Sequence, residues 1–394
     1  MAKGFFFNLP AHGHINPTLP LTQELVRRGE EIVYFTGESE RRKIEGTGAA
    51  FRVLPYDLRD FSKSPRSPEV DFLLFDCALK CLPTLIETAR REKPDYILYD
   101  FVSLWGKILA EQLCIPAIAV YPNPVPVRAM LPPAFVFTLI DVLLPLGRRV
   151  TRMRREIATR FQRAPESLVE FLTDPRRDLA IVLTSERFQP RREDLGPAFR
   201  FVGPCYPVLP DAPAFPFQLL EGRPVIYVSL GTVYGNNPRF FHRCIEAFRD
   251  VDCRIVVSTG NGVAPAVFRN LPPQFILRGF VPQWEILERA NLFITHGGMN
   301  SIHAGLYHGV PMIVAPQGLG TDQDGNARVV ESLGVGQRVN GHFFRPASLR
   351  AHAIRLMSDK SVRSRMDALR SEYRHSEGPR RAADEILRFT QKAS

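Results

Sequence analysis

FITHGGMNSIHAGLYHGVPMIVAPQGLGTDQDGN, residues 293–326, reads in succession as strand, turn, helix, strand and a second turn. The apolar run Asn291–Thr295 breaks at His296-Gly297-Gly298, and helical spacing resumes at Asn300 until Gly309 and Pro311 stop it. A second apolar strand follows at Met312–Ala315. A glycine pair between a strand end and a helix start gathers backbone N–H groups and the positive end of the helix at one point, which suits an anion. His296, Asn300 and Ser301 add side-chain donors there. On its residues alone this reads only as an anion site at a helix start in an α/β sheet.

The same alternation runs outward in both directions. Upstream, Val225–Leu230, a helix over Pro238–Phe248, Arg254–Ser258 and Phe275–Leu277 make a series of buried strands and a helix. Tyr206–Glu221 carries Pro207, Pro210, Pro213 and Pro216 and reads as a linker. Before it lies a second α/β series. Its strands are Lys3–Leu9, Glu31–Thr36, Phe51–Leu54, Tyr96–Tyr99 running into Asp100, Ala117–Tyr121 and Ala180–Thr184. Helices are expected from Pro17, with Asn16 as N-cap, over Phe72–Arg91, over Leu104–Leu113 and over the arginine-rich Arg148–Leu172. A last helix, roughly Arg380–Gln391, is long enough to return to the first domain. Strands alternating with helices predict doubly wound parallel sheets. With 394 residues the chain exceeds one ordinary core, so two such domains are expected. The boundaries are 1–206, a linker over 207–223, 224–378, and a C-terminal helix over 379–394.

Composition narrows the class. Apolar content of 45% with 23% charged is that of a soluble globular protein. The net charge of +10 comes from arginines spread along the chain. With neither an RNA-binding aromatic motif nor zinc-finger spacing, nucleic acid is not the expected partner. The apolar run Met130–Gly147 is interrupted by Pro132, Pro133, Asp141 and Pro145, which rules against a transmembrane helix. The six cysteines form no CxxC pair, and the N-terminus reads as a strand rather than a signal peptide. Reduced thiols and a cytoplasmic protein are expected.

Two further turns can carry chemistry. His12-Gly13-His14 lies between the first strand and helix, where a histidine serves as a general base, packs against the helix start, or binds metal. No further His, Asp or Glu cluster lies nearby in sequence, so no metal is expected. Asp100, at a strand end, reads either as an N-cap or as a carboxylate that orients an imidazole. Ser229-Leu230-Gly231-Thr232 follows a buried strand and offers hydroxyls and a flexible turn to phosphate.

These motifs together resemble one family. GHINP near the N-terminus, FVGP closing the first domain, VSLGT opening the second, and FVPQWEIL, FITHGGMNS, YHGVP, PQ and DQDGNA are similar to the UDP-glycosyltransferases, and most closely to their bacterial macrolide-type branch. The resemblance implies the GT-B architecture, two facing Rossmann-like doubly wound domains with the C-terminal helix returning to the first. It implies an inverting O-glycosyltransferase that moves a sugar, glucose by expectation, from a UDP-sugar to a hydroxyl of a small hydrophobic acceptor such as a macrolide, flavonoid or other polyphenol. UDP-glucose is then a co-substrate, with no permanently bound cofactor and no metal.

The family roles carry over position by position. His14 looks like the general base and Asp100 like its orienting carboxylate. His296 resembles the diphosphate-binding histidine, assisted by Gly298, Asn300, Ser301, Ser229, Gly231 and Thr232. Phe280, with Val281, stands where relatives stack an aromatic ring on uracil, and Gln283 matches the glutamine that contacts the nucleoside. Asp322 and Gln323 match the pair that holds sugar hydroxyls. The acceptor pocket is expected from 61–75 and 123–144, with His12, Phe61, Phe75 and Phe135 as its candidates. Two positions depart from the family pattern. Ala304 replaces a glutamate on the ribose, leaving that contact to His303 or Gln283, and the loop from Pro316 to Asp322 is two residues longer than usual. The alternatives are a lipid glycosyltransferase resting its arginine-rich helix on a membrane surface, and a nucleotide-sugar epimerase. A monomer or homodimer is expected.

Overall fold

The computed structural model describes residues 2–56, 69–128, 145–163, 167–174, 179–206, 213–231, 237–260, 263–318 and 322–393. The chain divides into two compact units. The first is Met1–Val208 together with Glu377–Ser394, and the second is the contiguous Leu209–Ser376.

The first unit is laid down as β1 (Lys3–Phe7), α1 (His12–Arg27), β2 (Glu31–Thr36), α2 (Arg41–Glu45), β3 (Ala50–Val53), α3 (Glu69–Glu92), β4 (Tyr96–Asp100), α4 (Leu104–Leu113), β5 (Ala117–Tyr121), α5 (Pro145–Arg160), α6 (Leu168–Thr173), β6 (Leu179–Val182) and β7 (Phe199–Phe201). Its seven strands pair in the order β3-β2-β1-β4-β5-β6-β7, all parallel. A parallel sheet is covered on both faces, so its central strands are apolar at every position rather than at every second one. β1 illustrates this. Phe5 and Phe7 enter a core shared with α3, α4 and α5. Phe6 enters the opposite core, shared with α1.

The second unit contains β8 (Val225–Ser229), α7 (Pro238–Phe248), β9 (Arg254–Ser258), β10 (Phe275–Arg278), α8 (Gln283–Leu287), β11 (Leu292–Thr295), α9 (Met299–His308), β12 (Met312–Val314), α10 (Asp322–Ser332), β13 (Gly336–Arg338), α11 (Pro346–Ser358) and α12 (Lys360–Arg374). The strand order β10-β9-β8-β11-β12-β13 is again all parallel. Both sheets therefore have the doubly wound order in which the chain reverses direction beside its first strand.

The last helix, α13 (Gly378–Ala393), belongs to the first unit. Its Ala382, Ala383 and Ile386 are buried beside Ile15, Leu21 and Leu25 of α1. At its start Gly378 lies so close to the chain that an added Cβ would sit 2.4 Å from the carbonyl oxygen of Pro204.

Two helices differ from the sequence expectation. α1 starts at His12 rather than at Pro17, with Ala11 as N-cap and its carbonyl accepting the N–H groups of His14 and Ile15 at 2.9 Å each. Pro17 and Pro20 lie inside it, where each removes one amide without ending the helix. The extra turn is the one that carries both histidines. The expected helix Arg148–Leu172 is two helices, because the chain turns at 161–163 and restarts at α6. Ser167 and Glu170 close that restart as a reciprocal capping box. The apolar residues of α5, Val150 and Ile157, are buried in the core with α3. No described helix is long and apolar enough to cross a membrane.

Candidate functional site

Ligands of doubly wound sheets bind beyond the carboxyl ends of the strands, where the strand order reverses. In the first unit that point lies between β1 and β4, and in the second between β8 and β11. The sequence-derived candidates gather at these two points.

In the first unit Phe7 pairs with Tyr99, so the turns after β1 and β4 leave the sheet side by side. His14, on the first turn of α1, places Nδ1 2.8 Å from Oδ2 of the fully buried Asp100. A carboxylate only accepts hydrogen bonds, so this contact puts the imidazole proton on Nδ1 and leaves the lone pair on Nε2. The other oxygen of Asp100, Oδ1, accepts the Val102 N–H at 3.1 Å, which fixes the carboxylate plane. Phe101 stacks on the imidazole with the rings 12° from parallel and 5.7 Å apart.

A buried polar cluster supports this turn from below. Asn8, the residue after β1, donates from Nδ2 to the His14 carbonyl at 3.2 Å and to the Tyr34 hydroxyl at 2.8 Å. Tyr34 and Thr18 share a further hydrogen bond of 2.7 Å. Asn8, Thr18 and Tyr34 are all fully buried, and burial pushes the Tyr34 phenol well above its ordinary value. Such a satisfied polar network is stiff, because every alternative leaves a buried group unpaired.

His12 is exposed and bonded differently. Lys43 Nζ lies 3.0 Å from His12 Nδ1 and 2.7 Å from Oε2 of the buried Glu40. Desolvation, and after it the Lys43 ammonium, lowers the His12 pKa. Phe75 is packed in the core of the first unit, where it lines a small cavity with Leu104, Ile108, Ile157 and Phe171. Phe61 and Phe135 lie outside the described residues.

In the second unit Ser229 pairs with Thr295, so the turns after β8 and β11 also emerge together. Gly231 adopts a left-handed φ of +72°, and its N–H donates to Ser229 Oγ at 3.2 Å. The His296 ring is wedged between two glycines. A Cβ on Gly231 would lie 2.6 Å from it, and one on Gly298 2.5 Å. Any side chain at either position would displace the imidazole. Burial pushes the His296 pKa down to about 4, so the ring is neutral near pH 7 and carries one N–H.

Gly298 is also the N-cap of α9 and contributes no capping side chain, so the first turn of that helix faces the same space as His296. Asn300 is half-buried and Ser301 buried on that turn. Asn326 Nδ2 donates to the Gly297 carbonyl at 2.9 Å and ties the turn to α10.

The nucleoside and sugar candidates lie on other segments of the same unit. Phe280 leaves 48% of its surface exposed, unusual for phenylalanine, whereas Val281 is buried. Gln283 accepts the Tyr227 hydroxyl at 3.3 Å through Oε1, and burial raises the Tyr227 phenol to about 12. Gln323 is buried, with Oε1 receiving the N–H groups of Gln317 at 2.9 Å and Gly318 at 3.4 Å. Gln317 is itself braced by Asn237 at 2.8 Å and by His342 at 3.0 Å. Asp322, exposed, opens α10. Ala304 is buried, and His303 is buried against Tyr373 of α12, its pKa pushed down to about 3. Thr232 and the loop 319–321 lie outside the described residues. Among the described residues no three His, Cys, Asp or Glu side chains gather as a metal-ligand set.

Sequence reasoning passed over Asn8, Lys43, Glu40, Asn237 and Asn326. A signal existed for Asn8 alone, as a polar residue straight after three buried phenylalanines.

Residues 242–388 match the family described as erythromycin biosynthesis protein CIII-like, C-terminal domain. Over 97% of its length the chain is 34% identical to the NDP-glycosyltransferase YjiC of Bacillus licheniformis, 96% of which is covered. It is 32% identical to the uncharacterized UDP-glucosyltransferase YojK of Bacillus subtilis, with 98% of this chain and 97% of that one covered. Among solved structures, the glycosyltransferase of kitacinnamycin superposes with a TM-score of 0.87 at 30% identity, covering 99% of both chains.

Proposed function

The chain belongs to the bacterial macrolide-type branch of the UDP-glycosyltransferases, and on that premise we propose that it transfers glucose from UDP-glucose to a hydroxyl of a small hydrophobic acceptor, inverting the anomeric configuration, with His14 as general base. That the chain is a glycosyltransferase of the GT-B fold, acting with a nucleotide sugar on a natural-product acceptor, follows from the family. Glucose, the acceptor class, the inversion and the residue roles are our reading.

The observation that carries the mechanism is the 2.8 Å contact between His14 Nδ1 and Asp100 Oδ2 at the reversal point of the first sheet. The contact leaves Nε2 free of its proton and ready to take one from the acceptor hydroxyl. As the proton passes to Nε2, the acceptor oxygen forms a bond to the anomeric carbon. The bond from that carbon to the β-phosphate oxygen breaks, and its electron pair leaves with UDP. Attack and departure on opposite faces invert the configuration. Asp100 stabilises the imidazolium that results, and general-base assistance of this kind contributes roughly two to four orders of magnitude.

The charge that develops on the diphosphate is met by the His296 N–H, the amides opening α9, Ser301 and Ser229. His296 is assigned as a neutral donor, which suits a ring held at a pKa of about 4. We assign Phe280 to stack on uracil, the Gln283 amide to the nucleoside, and Asp322 and Gln323 to the sugar hydroxyls. The name of the YojK relative supports UDP-glucose as donor, and the erythromycin-biosynthesis family supports a macrolide-like acceptor.

The test is direct. Purified protein with UDP-glucose and an acceptor panel should release UDP and give a hexose-mass product only when acceptor is present. The anomeric proton coupling of that product should report a β-glucoside. His14→Ala should cut turnover at least about a hundredfold with UDP affinity unchanged. Release of a changed nucleotide sugar without acceptor, or an α-glucoside, would overturn the reading.

A further inference from the structure

The side chain of Asn237 makes two bonds of different kinds. Its Oδ1 accepts the Phe240 N–H at 3.1 Å and caps the start of α7. Its Nδ2 donates to Gln317 Oε1 at 2.8 Å, eighty residues along the chain. The first bond is the local chemistry of a helix cap. The second adds nothing to the helix and leads away from it.

Gln317, beyond the end of β12, has every polar group engaged. Besides the bond from Asn237, its Nε2 donates to the Ala315 carbonyl at 2.8 Å, and its own carbonyl lies 3.0 Å from His342 Nε2. A carbonyl only accepts, so that imidazole nitrogen carries a proton. The Gln317 N–H donates to Gln323 Oε1 at 2.9 Å, and the Gly318 N–H reaches the same oxygen at 3.4 Å. The Gln317 amide cannot be turned over, because its Nε2 would then face the Asn237 amide and its Oε1 the Ala315 carbonyl. The amide of the buried Gln323 is fixed in the same way. Two N–H groups claim its oxygen, which leaves its Nε2 as the end that can donate elsewhere.

A further support closes over Gln317. Asn340 Oδ1 accepts the N–H groups of His342 and Phe343 at 2.9 Å each, and Arg243 of α7 donates to the His342 carbonyl at 2.5 Å. Between Asn340 and His342, a Cβ on Gly341 would collide with the Pro316 carbonyl oxygen and with Gln317 Nε2. α7 therefore holds Gln317 twice, directly through Asn237 and indirectly through Arg243 and His342.

We propose that Asn237 is a positioning residue for the sugar half of the donor, acting through Gln317 on the side chain of Gln323. This rests on the assignment of Gln323 to the sugar hydroxyls. Asn237 itself touches no substrate in this scheme. With its Nδ2 bond in place, Gln317 keeps its N–H on Gln323 Oε1, and Gln323 Nε2 meets the sugar in one orientation. Without that bond Gln317 can reorient, and Gln323 must be ordered as the sugar binds. The cost falls on the sugar and not on the nucleotide.

Asn237→Ser separates the two tasks. Serine caps a helix about as well as asparagine, so the melting temperature should move little. The Nδ2 group is gone and no charge is added, so only the bond to Gln317 is removed. Calorimetric titration should show UDP-glucose bound about three- to tenfold more weakly, the span of one hydrogen bond, with UDP itself within about twofold. Joined to Gln323→Ala, the substitution should lose no more than Gln323→Ala alone, since residues acting along one route do not add.

Equal losses for UDP and UDP-glucose, or losses that add in the double variant, would mean that Asn237 only braces the unit and would overturn the proposal. A Gln323→Ala variant that binds UDP-glucose as tightly as the native chain would remove Gln323 from the sugar, and this proposal with it. A loss at Gln323→Ala with none at Asn237→Ser would overturn this proposal alone.

Discussion

Replacing Asp100 by asparagine changes one atom's hydrogen-bonding character and should reverse the tautomer of the base. In the native chain Oδ1 accepts the Val102 N–H at 3.1 Å while Oδ2 faces His14 Nδ1 at 2.8 Å. An asparagine keeps its carbonyl oxygen on Val102, because the opposite orientation would set an amide N–H against a backbone N–H. Its Nδ2 then faces His14 and donates, so Nδ1 becomes the acceptor and the proton moves to Nε2. A protonated Nε2 cannot accept the acceptor's proton, and the whole general-base contribution is lost. Turnover should fall by about a thousand- to ten-thousandfold, approaching the loss known when the carboxylate of a buried triad is changed to an amide. Because the shape is conserved, the melting temperature should move little, and UDP affinity should be unchanged, since the residues we assign to the diphosphate belong to the second unit. Kinetics by UDP release, calorimetric titration with UDP and imidazole nitrogen spectra check the three parts together. Turnover within tenfold of the native value, with the His14 proton still on Nδ1, would refute the reasoning.

Three further outcomes are expected. His296→Ala removes the donor we assign to the diphosphate and should weaken UDP binding by roughly ten- to a hundredfold, read by calorimetric titration; an unchanged affinity would remove His296 from that assignment. His296 and His303 have folded pKa values of about 4 and about 3, below the ordinary imidazole value of about 6.5, so each resists protonation in the folded state. The sign follows: neither costs stability above pH 6.5, and each destabilises progressively below it until its folded pKa is reached. At pH 5 the penalty is about 2 kcal/mol per histidine, so calorimetric melting should fall between pH 7 and 5, and His303→Leu should flatten that slope. Gly378→Ala sets a methyl 2.4 Å from the Pro204 carbonyl oxygen and should cost about 1–3 kcal/mol, seen as a lowered melting temperature with UDP affinity retained.

The sheets were legible because their strands are short apolar runs ended by glycine, proline or a polar residue, as at Leu292–Thr295 before His296-Gly297-Gly298. β13 was not, because Gly336–Arg338 is a three-residue edge strand without an apolar run. The start of α1 was misread because Asn16-Pro17 has the form of a helix cap, and proline inside a helix is costly enough that the cap is the ordinary choice. The break between α5 and α6 was legible, since the arginine-rich pattern stops at Arg163, Pro165 follows it, and Ser167 and Glu170 have capping-box spacing. In the site, the pairing of a strand-end carboxylate with a helix-start histidine could be anticipated from topology, and His14 and Asp100 do meet. The contact of His12 with Lys43 could not, since the lysine lies thirty-one residues away and is held by the buried Glu40.

The placement of α13 has a consequence for how the chain is made. The second unit is contiguous, so nothing made after residue 376 is needed to complete it. The first unit is begun earlier but stays unfinished, because Ala382, Ala383 and Ile386 fill the face of its core that contains Tyr34, Leu98 and Val120. Domains built from the N-terminus usually complete in order of synthesis. Here the order is inverted, and the unit carrying His14 and Asp100 must wait, with apolar surface uncovered, until the far end of the chain arrives to close it.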